Sequence, residues 1–126
     1  MDKRPIFLDV LSIKLPVTAI CSILHRISGI VMILTMPIVV GFAMLLFHDQ
    51  NSFDNWLPVA SSWWMKVIWI GLAWAWSYHI IAGVKHMFHD FTGCHELSKV
   101  RLSSWLSLVA FAFIALAWVL WIGWYS

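Results

Sequence analysis

Three long apolar runs divide the chain, and short polar stretches separate them. The first extends from Ile27 to Phe47, the second from Trp63 to Phe88, and the third from Ser104 to Trp124. A helix rises roughly 1.5 Å per residue, so each run is long enough to cross a hydrocarbon layer of about 30 Å. The pattern predicts an all-α integral membrane protein with three transmembrane helices, at about 27–47, 63–88 and 104–124. Residues 1–126 form one membrane domain. Residues 1–20 read as a short interfacial lead-in, where Pro5 and Pro16 break regular structure. There Leu8, Val10, Leu11, Ile13 and Leu15 rest on the membrane surface while Asp9 and Lys14 face water. Pro37 lies inside the first run, and it predicts a kink rather than a break, because neighbouring helices satisfy the carbonyl it frees.

The connections give the orientation. Residues 48–62 hold Asp49 and Asp54 but no lysine or arginine, and Trp56, Trp63 and Trp64 suit an aromatic belt there. Lys3, Arg4, Lys14, Arg26, Lys85, Lys99 and Arg101 belong to the other side, against Lys66 alone. The positive-inside rule then puts the N-terminus in the cytoplasm, or in the equivalent compartment of an organelle. The third run is almost pure Leu, Ala, Val, Phe and Trp, and it reads as a helix that packs the bundle and faces lipid, without polar groups for a pathway. Trp69, Trp74 and Trp76 read as packing or lipid-facing residues with no chemistry.

Composition agrees with this layout. The chain is 62% hydrophobic and 11% charged, too little polar surface for a soluble globule. A net charge of +2 gives no case for nucleic acid. Cys21 and Cys94 have no metal-binding spacing and read as free thiols. No cleavable signal peptide and no internal repeat is apparent.

The candidate chemistry lies at the end of the second run, Tyr78-His79-Ile80-Ile81-Ala82-Gly83-Val84-Lys85-His86-Met87-Phe88-His89-Asp90. The first charge after His79 is Lys85, about 9 Å further along a helix axis, so the imidazole sits below the headgroups. An ionisable residue at that depth is a functional-site hypothesis by default. Gly83 and His86 share its face, which gives a buried histidine, a gap for something flat, and a second histidine near water. A haem needs that order, with an axial ligand at depth and polar groups for its propionates at the edge. At the start of the first run, Ser22, His25, Arg26 and Ser28 crowd together, with Ser22 one turn before Arg26 on the same face. Arg26 suits either a propionate or a carbonyl oxygen, or it is a snorkelling interfacial arginine. His79 also has a plainer reading, as a contact between helices.

Three segments resemble a known family, the cytochrome b556 subunit of succinate dehydrogenase: Arg4-Pro5-Ile6-Phe7-Leu8-Asp9, the stretch Pro16 to Gly29 containing Ser22-Ile23-Leu24-His25-Arg26-Ile27-Ser28-Gly29, and Tyr78 to Asp90. The resemblance implies an anchor that is non-catalytic alone. It would hold a flavoprotein subunit and an iron–sulfur subunit to the bacterial inner membrane, together with a second hydrophobic membrane subunit. Electrons would pass from succinate to ubiquinone, with haem b between the two membrane subunits. By the same resemblance His79 is the haem axial ligand, with the opposite ligand on the second subunit. His25, Arg26 and His86 lie near the propionates, Ser22 and Arg26 bind the quinone, and Asp90 is an acid at the same membrane face, a candidate proton relay. Lys85 departs from the family, which more often has arginine there. Rival readings are a menaquinone-linked fumarate reductase anchor, a haem-free assembly anchor, and a transporter subunit with His79 and Arg26 along a polar path.

Overall fold

A computed structural model describes residues 15–93 and 96–124. They form four helices: α1 (Val17–Leu46), α2 (Gln50–Ala60), α3 (Trp63–Thr92) and α4 (Leu97–Trp124). Three of these, α1, α3 and α4, are long and apolar enough to cross a membrane. Each extends beyond its apolar run, because polar residues at the ends continue the helix before a stop signal appears. The interfacial lead-in, Cys94 and most of the N-terminal charges lie outside the described residues.

α1 runs unbroken through Pro37. Its side chains are widely exposed, including Ile33 at 76% and Ile38 at 69%, as expected of a surface made for lipid or another subunit rather than for water. α3 ends at Gly93, whose φ of 61° is the left-handed turn that glycine adopts without steric cost. α4 begins at Leu97, a few residues further along the chain. α1, α3 and α4 pack against one another as a bundle, with the start of α1, the end of α3 and the start of α4 at one end.

The first connection is not a plain loop. Asp49 caps α2, its carboxylate accepting the Ser52 N–H at 2.6 Å, which satisfies a donor at the helix start. This bond, with the His48 side chain second, holds the Asp49 carboxyl below its ordinary value. α2 packs its apolar side on the bundle through Phe42, which meets Trp56 edge-on and Trp69 at a tilt. Trp69 Nε1 donates to Ala60 O at 3.2 Å, tying α3 to the end of α2. Sequence periodicity missed α2 because the segment is too polar to read as a membrane run.

α4 differs from expectation in one respect. It does pack the bundle and expose apolar residues, but its first turns carry a buried polar stripe of Ser104 and Ser107. Ser103, Ser104 and Ser107 each return a hydroxyl bond to a backbone carbonyl one turn earlier, and this lets a serine sit in an apolar seam. Lys85 Nζ donates to Ser104 Oγ at 3.3 Å, and His89 Nε2 and Ser103 Oγ are 2.7 Å apart. Farther along, Trp74 Nε1 donates to Ala115 O and Trp118 Nε1 to Ser77 Oγ. Trp69 and Trp74, which read as packing or lipid-facing residues in the sequence, thus carry specific bonds.

Candidate functional site

The bundle end shared by the start of α1 and the end of α3 brings three histidines together. His25 and His79 stack with ring centroids 4.3 Å apart and planes 21° apart. His86 lies on the other side of His25, with centroids 5.3 Å apart. Helical spacing explains the set: His79 and His86 are two turns apart on one face of α3, and His25 reaches between them from α1.

One small residue makes the contact possible. A Cβ on Gly29 would stand 3.0 Å from His79 Cε1, so glycine at that position admits the imidazole against the α1 backbone. Gly83 only borders His25, since a Cβ there would lie 3.6 Å from His25 Nε2, an ordinary van der Waals contact. The sequence reading gave Gly83 the role of a gap beside His79. In the folded chain His25 occupies that side, and Gly29 is the glycine that makes room for His79.

The bonds at His79 define its chemistry. Its Nδ1 is 3.2 Å from His25 O and 3.1 Å from Ser28 Oγ. Ser28 Oγ itself donates to the same carbonyl at 2.8 Å. A carbonyl only accepts, so the His79 proton belongs on Nδ1 and the lone pair on Nε2. A partner on one nitrogen fixes both the tautomer and the ring plane for the other. The sequence shows Ser28 only as part of a polar cluster, and its spacing of three from His25 is the signal that links them. His25 Nε2 is buried and has no hydrogen-bond partner among the described residues. A buried polar atom left in that state calls for a partner beyond the described residues.

Ser22 is half-buried and Arg26 exposed, one turn apart along α1. The Arg26 guanidinium has no bonded partner among the described residues. Asp90 is exposed, one turn beyond His86 on α3. Lys85 turns to α4 rather than to the histidines.

The comparisons with known proteins agree on one family. A family model described as the succinate dehydrogenase/fumarate reductase transmembrane subunit matches residues 1–120. A succinate dehydrogenase cytochrome b556 subunit of Coxiella burnetii is 34% identical, over 93% of this chain and 95% of that one. The protein of the same name from Rickettsia prowazekii is 27% identical, over 96% and 93% of the two chains. The succinate dehydrogenase cytochrome b560 subunit of Reclinomonas americana is 29% identical, over 93% and 85%. This chain belongs to the succinate dehydrogenase/fumarate reductase transmembrane subunit family.

Proposed function

From that membership we propose that this chain is the haem b subunit of a succinate:ubiquinone oxidoreductase in the bacterial inner membrane, with its N-terminus in the cytoplasm. It anchors a flavoprotein subunit and an iron–sulfur subunit, and with a second membrane subunit it completes the haem and ubiquinone sites. The observation that carries this reading is His79 with Nδ1 bonded to His25 O and Ser28 Oγ, which leaves Nε2 free beside a buried, unpartnered His25 Nε2. These residues fit a haem. His79 would hold the iron through Nε2, His25, Arg26 and His86 would serve the propionates, and the opposite ligand would come from the second membrane subunit. Bound haem b would supply a one-electron store.

The other roles belong to side chains of this chain. The Ser22 hydroxyl donates to a quinone carbonyl. The Arg26 guanidinium stabilises the negative charge that develops on the quinone oxygen as it is reduced, and such a contact is stronger in the transition state than before it. Asp90 and the interfacial histidines deliver protons from the water side. The broad apolar surface at Ile30, Ile80 and Val84, each more than half exposed, suits the second membrane subunit.

A visible spectrum of the purified complex tests the reading. Reduced wild-type complex should give sharp low-spin b-type bands. His79→Ala should lose them while succinate oxidation by a dye acting at the flavoprotein persists. Unchanged bands in His79→Ala would remove the ligand assignment, and low-spin haem bound by the isolated chain would remove the second subunit's ligand.

A further inference from the structure

Two adjacent residues of α3 grip two carbonyls of α1 that are one turn apart. The Tyr78 hydroxyl donates to Cys21 O at 3.1 Å, and His79 Nδ1 lies 3.2 Å from His25 O. The Cys21 carbonyl belongs to the peptide plane that leads into Ser22. The His25 carbonyl belongs to the plane that leads into Arg26. Each peptide unit is rigid, so a bond to its oxygen restrains the Cα of the residue that follows. Tyr78 and His79 therefore hold the two points from which the quinone-binding side chains project.

The Tyr78 end is the firmer of the two. Its ring is 4% exposed and meets Phe111 of α4 edge-on, with centroids 5.2 Å apart. Cys21 is fully buried, and its Sγ faces Ser104 O on α4 at 3.7 Å. Three helices converge on the residue immediately before Ser22. A helix interior needs no such bond to its carbonyls, which are already paired within the helix. A buried tyrosine hydroxyl needs a partner, and here it finds one at the base of the quinone residue.

We propose that Tyr78 is a positioning residue for quinone reduction, setting the orientation of Ser22 through the Cys21 carbonyl. This rests on the assignment of Ser22 to the quinone. Tyr78→Phe keeps the ring and its packing on Phe111 and removes only the hydroxyl bond. In the assembled complex, the KM for a short-chain ubiquinone should rise about threefold to tenfold, the range expected for one lost intramolecular hydrogen bond. The affinity of a quinone-site inhibitor should fall by the same factor. Dye-linked succinate oxidation and the reduced haem spectrum should stay as in wild type.

A double-mutant cycle with Ser22→Ala separates the possible failures. If Tyr78 acts through Ser22, the double variant is no worse than Ser22→Ala alone. Additive losses, or a Tyr78→Phe complex with wild-type KM and inhibitor affinity beside an impaired Ser22→Ala, overturn the positioning role alone. A Ser22→Ala complex with wild-type quinone kinetics removes the quinone assignment and this proposal with it. A loss in Tyr78→Phe accompanied by a changed haem spectrum also overturns it, since the effect would then pass through His79. Should Tyr78→Phe assemble poorly, Phe111→Leu, which loosens the tyrosine ring while keeping its hydroxyl, must raise KM less than Ser22→Ala does. An equal or larger rise would reduce Tyr78 to packing.

Discussion

The two seams that meet on α3 handle polar groups in opposite ways. On the α3–α4 seam the polar groups named above are paired: Lys85 with Ser104, His89 with Ser103, Trp74 with Ala115 O and Trp118 with Ser77. On the α1–α3 seam pairing stops halfway. His79 uses one nitrogen, His25 Nε2 is buried without a partner, and Arg26 points outward. A paired network in an apolar setting rigidifies a structure, whereas an unfinished one costs free energy until something completes it. The first seam is complete in itself and the second, where the proposed site lies, is not, although both contain histidine, serine and a cation.

The largest expected effect breaks the second seam from inside. In Gly29→Val the Cβ alone would stand 3.0 Å from His79 Cε1, so the branched side chain must displace the ring. The purified complex should lack its b-type bands although His79 is intact. Haem retained at full occupancy would show that the close approach of His79 to α1 is unnecessary. Next, Arg26→Ala should lower quinone reduction roughly tenfold to hundredfold, as expected for a charge-assisted bond of about 1.5–3 kcal/mol. Dye-linked succinate oxidation measured on the same preparation should be unaffected.

A smaller effect falls on the first seam. Ser104→Ala takes away the Lys85 partner and should cost on the order of 1 kcal/mol, seen as a Tm lower by a few degrees with an unchanged haem spectrum. A large spectral change there would mean that the two seams are not separate. The smallest effect lies at α2. The Asp49 carboxyl is held below its ordinary value, chiefly by the Ser52 N–H, so its contribution is present above the unfolded carboxylate pKa and fades as pH falls through the folded one. Asp49→Ala should remove that acid dependence from the unfolding of α2, followed by fluorescence of nearby Trp56, without altering quinone kinetics.

Much of this was legible in the residues. The apolar runs identify three crossing helices because length and polarity alone decide what spans a bilayer. The grouping of His25, His79 and His86 also follows, since positions on one helix face and at one bundle end are set by helical period and topology. What periodicity does not encode is which glycine faces which ring. Gly83 shares a face with His79 in sequence terms, yet the α1 side chain that fills the gap is decided by how two helices cross. Ser104 and Ser107 were hidden for a similar reason. Serine at the head of an apolar run looks like a boundary until the neighbouring helix supplies Lys85. α2 escaped because its stability comes from a cap and from Phe42, neither of which is a repeating signal.

The left-handed turn at Gly93 has a consequence for biogenesis. It joins α3 to α4 through so short a segment that their pairing is local in the chain, and closing so small a loop costs little entropy. The α3–α4 hairpin, with its own internal bonds, can assemble as soon as both segments have left the ribosome. α1 is made first but must come back across a longer connection to find its seat. The histidine pocket, built between α1 and α3, therefore depends on the costlier of the two loop closures.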